Sequence, residues 1–317
     1  MTQGKSFPFE EIIKKRKEID EVKFPEYSDQ LPSELASYRQ PFGKLAGALD
    51  SDPVFCLVAF LAVNIARLAS ESAQQTIVVS IAGAQGTGKS TMSRLLASML
   101  HDCFHTSTTI LSLDDFYLPL EYRQRVAADI HPLLGVRGVP GTHDLVLMEK
   151  VLTDLLQGRS VEVPVFNKGE DDRNSQWLEA EPATVILCEG WCWGAVPEPQ
   201  ERLMHPINDL ERTQDPDGLW RRYVNEQLSQ YQSVFQASAQ IFFRAPSVEA
   251  IVRWRFQQEQ ELANRGGGSR VMSAMEVRQF VAYYERITGW VLEEMTGRAS
   301  VVVSLDEGNS FQDVRVN

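Results

Sequence analysis

Residues 76–100, TIVVSIAGAQGTGKSTMSRLLASML, decide the fold. The run TIVVSIA (76–82) is β-branched and apolar on both faces, the pattern of a parallel strand buried on both sides. A glycine-rich turn follows, and then Met92, Leu95, Leu96, Met99 and Leu100 recur at helical spacing, which lays one apolar stripe against a sheet. The turn between them, Gly83-Ala-Gln85-Gly86-Thr87-Gly88-Lys89-Ser90, fits G-x-x-x-x-G-K-[ST] in full and stands where that motif requires, after a strand and before a helix. Glycines let the backbone curl so that its N–H groups point inward at phosphate oxygens. The helix starting near Lys89 adds the positive end of its dipole. The Lys89 ammonium suits the β- and γ-phosphates, and the Ser90 hydroxyl is a hard oxygen ligand of the kind Mg²⁺ takes. Residues 83 and 85–91, Thr91 included, are therefore the candidate contacts of a nucleoside triphosphate.

Working outward, further strands are expected at 108–113, 184–188, 240–244 and 300–304, with helices near 143–157, 218–236, 247–264 and 273–296. Strands alternating with helices indicate a doubly wound, mostly parallel sheet in a three-layer α/β/α arrangement, with ligands at the carboxyl ends of the strands. The expected division is a helical N-terminal extension over 1–75, punctuated by prolines and packed on the core, followed by a phosphate-binding domain over 76–317. The apolar stretch VFCLVAFLAVNIARL (54–68) contains Asn64 and Arg67 and falls short of the ~20 residues a membrane span needs, so it reads as a buried helix.

The bulk numbers narrow the function. A chain of 317 residues with 43% apolar and 23% charged residues is ordinary for a globular protein. A net charge of −12 repels polyanions, and no basic stripe offsets it, so nucleic acid is not an expected partner. The N-terminus is polar and charged where a secretory signal would be apolar, and the four cysteines form no CxxC pair. Reduced thiols and a cytoplasmic location are expected.

Two acidic strand ends complete the phosphate site. Leu111-Ser-Leu-Asp114-Asp115-Phe-Tyr117 closes the strand after the P-loop helix. Side chains alternate along a strand, so one of the two carboxylates is expected to face the pocket. There it can accept the proton of an attacking hydroxyl, assistance of roughly 10²–10⁴ in rate. Val185-Ile-Leu-Cys-Glu189-Gly190 has the layout of a Walker B strand, whose acid holds Mg²⁺ directly or through water. Asn167-Lys168-Gly169-Glu170 resembles the guanine-reading N-K-x-D, but its last residue differs and it precedes Glu189. Chance is the better account.

The ordered set GAQGTGKST, LSLDDFYLP, RGVPGTHD, FNKGEDDR and CEGWCWG resembles the glycerate kinase family of plants, fungi and bacteria, within the larger group of uridine kinase, phosphoribulokinase and pantothenate kinase. The similarity covers roughly residues 76–317. It implies a P-loop NTPase fold with ATP and Mg²⁺ as cofactors and a small hydroxy acid such as D-glycerate as acceptor. By the same resemblance Asp114 is the base and stands near the metal, and Glu189 joins Ser90 as a metal ligand. Tyr117, Arg137, Thr142, His143, Lys168 and Arg173 are implied to line the acceptor site. Arg137, Lys168 and Arg173 are the cations available for an acceptor carboxylate. The family carries Phe-Asp-Lys and Gly-Asp-Arg where this chain has Phe166-Asn167-Lys168 and Asp171-Asp172-Arg173, a difference that bears on substrate choice.

Thr142 is a possible cap for the following helix, and Trp191 and Trp193 serve either as pocket wall or as core. Related kinases close a lid helix over the phosphates. Residues 247–272 fit that role, with Arg255 the leading candidate to touch phosphate and Gly266–Gly268 a hinge. The competing readings are a kinase for another small alcohol, such as a nucleoside, and an ATP-operated switch. The absence of an LSGGQ signature counts against the latter. Oligomeric state is not legible.

Overall fold

The β-branched run after Thr76 offers solvent no polar face, and it lies at the centre of the molecule, with Ile77–Gly83 (β2) buried along its whole length. The computed structural model describes residues 22–23, 52–264 and 271–317. Most of the expected N-terminal extension and the glycine triplet of the expected lid lie outside these residues. Strand β2 pairs in parallel with Val185–Gly190 (β8) on one side and Ala239–Arg244 (β9) on the other. Thr108–Ser112 (β3) joins β8 in parallel, and Val301–Leu305 (β10) joins β9. Phe311–Val316 (β11) returns antiparallel on β10, and the short Val22–Lys23 (β1) pairs with it. The resulting seven-stranded sheet has the order β1-β11-β10-β9-β2-β8-β3.

Period-two alternation along the central strands creates a core on each face. Ile77, Val79, Ile81, Val185, Leu187, Ile241 and Phe243 face one cluster, while Val78, Ala82, Ile186, Cys188 and Phe242 face the other. Asp52–Glu71 (α1), Lys89–Phe104 (α2) and Val248–Asn264 (α7) cover the first face. Leu145–Leu156 (α4) and Leu219–Tyr231 (α6) cover the second. The 54–68 stretch is thus a buried helix, as its length implied. No helix among the described residues is long and apolar enough to cross a membrane.

Each of the five expected strands is present, displaced by one or two residues. The expected helix over 273–296 is broken into Ala274–Ala282 (α8) and Glu285–Glu294 (α9). The break has a tertiary cause: Tyr283 and Tyr284 donate three residues back instead of four, to Phe280 and Val281. The Tyr284 ring is buried against Trp191, and its hydroxyl donates to the Arg137 carbonyl. Strand β11 and the helix Leu120–Asp129 (α3) carried too little periodicity to be expected. The same holds for two small hairpins, Val161–Val163 (β4) with Leu178–Ala180 (β7) and Phe166–Asn167 (β5) with Asp172–Arg173 (β6).

The chain leaves β2 through α2 and passes over β8 to reach β3, whereas β9 lies on the opposite side of β2. This reversal opens a crevice at the carboxyl ends of β2 and β8, the usual ligand position in such sheets. The P-loop, Asp114 and Glu189 all stand there.

Candidate active site

The turn between β2 and α2 is shaped by glycine. Gly83 has φ of 152°, and a Cβ on it would lie 2.8 Å from the Phe243 carbonyl oxygen and 2.9 Å from Thr87 Oγ1, so no larger residue fits. Gly88 caps α2 in the left-handed conformation, leaving the first amides of that helix facing the crevice. Thr87 is buried and donates to the Ala84 carbonyl at 2.9 Å, which braces the loop internally. Lys89 Nζ donates to the same carbonyl at 2.9 Å. Burial lowers the Lys89 ammonium below its ordinary value, although Glu189 and Asp114 act in the opposite sense. Gln85 is half-buried and Thr91 exposed. Gly86 is gripped from outside, because Asn309 Nδ2 donates to its carbonyl at 3.0 Å.

Ser90 Oγ donates to Glu189 Oε1 at 2.6 Å, and Ser112 Oγ reaches the same oxygen at 3.1 Å. Three oxygen groups therefore meet beside the P-loop lysine, a set suited to a hard divalent ion. No cluster of three or more His, Cys, Asp or Glu side chains among the described residues forms a metal cage. An ion here would have to complete its shell with phosphate oxygens and water, as Mg²⁺ characteristically does.

Extension stops at Ser112, and Leu113–Phe116 forms a 3₁₀ turn. The neighbouring carboxylates still part, through the turn instead of through strand alternation. Asp114 accepts from Tyr117 Oη at 2.8 Å and pairs with Lys168 Nζ at 2.6 Å. Burial pushes the Asp114 carboxyl upward, but the ammonium of Lys168, the Tyr117 hydroxyl and Lys89 outweigh it and hold it below its ordinary value. Asp115 turns away and accepts the Phe166 N–H at 3.1 Å; burial raises its carboxyl despite that hydrogen bond.

The remaining sequence-expected acceptor residues form a wall around this corner. Arg173 donates to the Tyr117 carbonyl at 2.8 Å and pairs with Asp144 at 3.1 Å. Arg137 pairs with Asp171 and lies over the Phe166 ring. Thr142 is not the helix cap: Asp144 caps α4 by accepting the Leu147 N–H, while Thr142 accepts from Gly138 N and donates to the Val139 carbonyl. The cap falls two residues later because the loop needs the Thr142 hydroxyl to close its own turn. Gly138 has φ of 131°, and a Cβ there would collide with the Tyr284 hydroxyl. His143 is buried, stacked on Tyr117 at 4.6 Å between centroids. Trp191 is buried with Nε1 on the Gly138 carbonyl, and Trp193 packs on Phe235, so both belong to the core beneath the site.

In α7, Arg255 pairs with Glu259, lies over Phe280 and donates to Gln258, while Arg253 pairs with Glu307 at the β10–β11 turn. The helix runs beside the P-loop: a Cβ on Gly86 would meet Gln258 Nε2 at 3.3 Å. Arg255 is thus near the phosphate loop, with its guanidinium held by α7's own glutamate.

Lys89, Ser90, Glu189, Asp114, Tyr117 and Lys168 are gathered at one corner. Three participants were not legible in the sequence. Ser112 becomes a partner of Glu189 only through the register of β3 on β8, which sets the two opposite each other. Tyr231 reaches His143 from α6 at 2.7 Å. Arg123, fully buried, donates to the carbonyls of Leu118, Gly135 and Asp171 and so ties three loops of the acceptor wall together.

Residues 78–209 match the model of the "Phosphoribulokinase / Uridine kinase family". The chain is 34% identical over 223 residues to the uncharacterised kinase mug58 of Schizosaccharomyces pombe, covering 65% of this chain and 78% of that one. It is 33% identical over 223 residues to the chloroplastic D-glycerate 3-kinase of Arabidopsis thaliana, covering 66% of this chain and 46% of that protein. Against that relative it therefore spans about half the length. The solved structure of a D-glycerate 3-kinase from Cryptococcus neoformans superimposes with a TM-score of 0.70 at 24% identity, covering 83% of this chain and 99% of the other, and shows the common fold. With its strand–P-loop–helix intact, this chain belongs to the phosphoribulokinase/uridine kinase family and is a P-loop small-molecule kinase.

Proposed function

We propose that this kinase transfers the γ-phosphoryl group of Mg·ATP to a hydroxyl of a small hydroxy acid, with D-glycerate, giving 3-phosphoglycerate, the leading candidate. The observation that carries the reading is the corner where Asp114 meets Lys168 at 2.6 Å within the field of Lys89. A carboxylate that can take a hydroxyl proton, a cation that can take an acceptor carboxylate and a phosphate-holding lysine stand side by side. Of the three cations considered for the acceptor carboxylate, Arg173 and Arg137 are occupied by wall contacts. Each of the three has a carboxylate partner, but Lys168, on the β5–β6 hairpin turn, is the most exposed, and its partner is Asp114 itself. It is the cation best placed to accept an incoming carboxylate. The Arabidopsis relative named as a D-glycerate 3-kinase supports the same acceptor.

In this reading the acceptor hydroxyl oxygen bonds to the γ-phosphorus as the bond to the β-phosphate oxygen breaks, and its proton passes to Asp114. Lys89 and the P-loop amides hold the phosphates. Ser90 and Glu189 would hold Mg²⁺, which would supply neutralisation of phosphate charge. Arg255, beside the phosphate loop, would exchange Glu259 for phosphate. ADP release is to be measured with D-glycerate, L-glycerate, uridine, pantothenate and ribulose 5-phosphate. D-Glycerate should give the highest kcat/KM, and Asp114→Asn should lower kcat by roughly 10²–10⁴. Turnover of uridine but not glycerate would move the acceptor assignment, and full activity in the asparagine variant would remove Asp114 as base.

A further inference from the structure

His143 has one ring nitrogen accounted for and one without a partner. Its Nδ1 lies 2.7 Å from Tyr231 Oη, while Nε2 is buried and has no hydrogen-bond partner. The proton positions follow from the groups around Tyr231. Its oxygen already accepts the Gly141 N–H at 3.0 Å. Burial holds the phenol well above its ordinary value, so it keeps its proton, and His143 Nδ1 is the acceptor within reach. Tyr231 therefore donates to Nδ1, and the neutral ring must carry its hydrogen on Nε2. The chain Gly141 N–H to Tyr231 to His143 is a relay that locks one tautomer.

A buried N–H without an acceptor costs stability, so native proteins rarely keep one without a use. The ring stacks on Tyr117, whose hydroxyl holds Asp114, and the Asp114 charge is the one that acts on the imidazole. Tyr231 occupies Nδ1 and leaves Nε2 free of it, and the stack on Tyr117 sets the ring beside the acceptor corner. The geometry points to His143 Nε2–H as a fixed, uncharged hydrogen-bond donor to an oxygen of the acceptor, with Tyr231 as the residue that sets it. This rests on the kinase reading above and deepens it. The substrate class it selects carries a lone-pair oxygen, carboxylate or hydroxyl, next to the hydroxyl that reacts. Burial holds the ring neutral down to about pH 3, so it donates without acting as an acid or base.

The test joins spectroscopy and kinetics. Nitrogen-15 spectra of histidine-labelled protein without ligand should show a protonated Nε2 and an unprotonated Nδ1 for His143, assigned by its loss in His143→Gln. In Tyr231→Phe that assignment should give way to a tautomer mixture. His143→Phe keeps the stack on Tyr117 but removes the donor. It should raise the KM of D-glycerate about tenfold or more while leaving the KM of ATP within twofold. His143→Gln, whose amide nitrogen stands in for Nε2, should restore most of the loss. A proton on Nδ1 in the wild type overturns the proposal, as does an unchanged acceptor KM in His143→Phe. If the wild type phosphorylates none of the tested alcohols, the functional reading falls; the spectrum, which needs no turnover, still decides the donor assignment.

Discussion

At the scale of single residues, position decides what each polar group can do. Lys89 is folded onto its own loop through the Ala84 carbonyl, so it stands ready at the phosphates with little reorganisation. Lys89→Met should lower kcat/KM about 10²-fold or more at unchanged circular dichroism, a loss comparable to removing one preorganised charge donor. A variant with near-normal turnover would show that the loop amides suffice. His143 yields a pH prediction. Its surroundings are Tyr231 from α6, Tyr117 across the ring face and the Asp114 carboxylate beyond. Burial lowers it to about 3, with Asp114 in partial opposition. Between that value and the ordinary ~6.5 the unfolded chain binds a proton that the folded chain refuses. Stability is therefore complete above ~6.5 and is lost as pH falls through this window. From pH 7 to pH 5 this one residue should remove about 2 kcal/mol, and His143→Gln should abolish that share. Urea unfolding at both pH values measures it; equal losses in the two proteins would contradict it.

At the scale of elements, short polar devices fix segments whose sequence is weakly patterned. Helix α8 begins with a capping box in which Ser273 accepts the Glu276 N–H and Glu276 answers the Ser273 backbone. Ser273→Ala should cost about 1 kcal/mol by denaturant titration and leave ATP binding alone. The acceptor wall depends more heavily on one side chain. Arg123 binds three loop carbonyls and pairs with Asp171 at 3.0 Å, so Arg123→Ala strands buried acceptors and should destabilise by about 3 kcal/mol. Because those loops carry Arg137 and the β5–β6 hairpin, the acceptor KM should rise more than the ATP KM. Equal changes in the two would place Arg123's role in global stability alone. None of this was legible beforehand. An arginine on a short helix with no apolar stripe looks like any solvated charge until the loops close over it.

At the scale of the whole molecule, the crevice exists because the strand order reverses at β2, with β8 and β9 on opposite sides. A ligand there bridges the loops that follow β2, β3 and β8, so it should stabilise the fold as a unit. At 100 times its Kd, Mg·ATP should add about 2.7 kcal/mol, seen as a rise in Tm. The rise should vanish in Lys89→Met and shrink with EDTA. An unaltered Tm at saturating Mg·ATP would leave the phosphate site without its ligand. The central parallel strands β2 and β8 were readable because a strand buried on both faces must be continuously apolar, as in IVVSIAG and VILC. The antiparallel β11 and the two hairpins were not, since exposed or two-residue strands carry no such signature.

The chain's own order of residues determined the phosphate loop, the acids at two strand ends and the parallel sheet. Each depends on a contiguous pattern: glycines at fixed spacing, a lysine at a helix start, an apolar run that stops at a carboxylate. Tertiary structure alone decided which groups meet. Ser112 joins Glu189 by register, Lys168 arrives at Asp114 from a hairpin more than fifty residues away, and Tyr231 sets His143 from the far side of the sequence. Hydrogen bonds and ion pairs act over a few ångströms of space, so no local pattern records partners that only folding brings within reach.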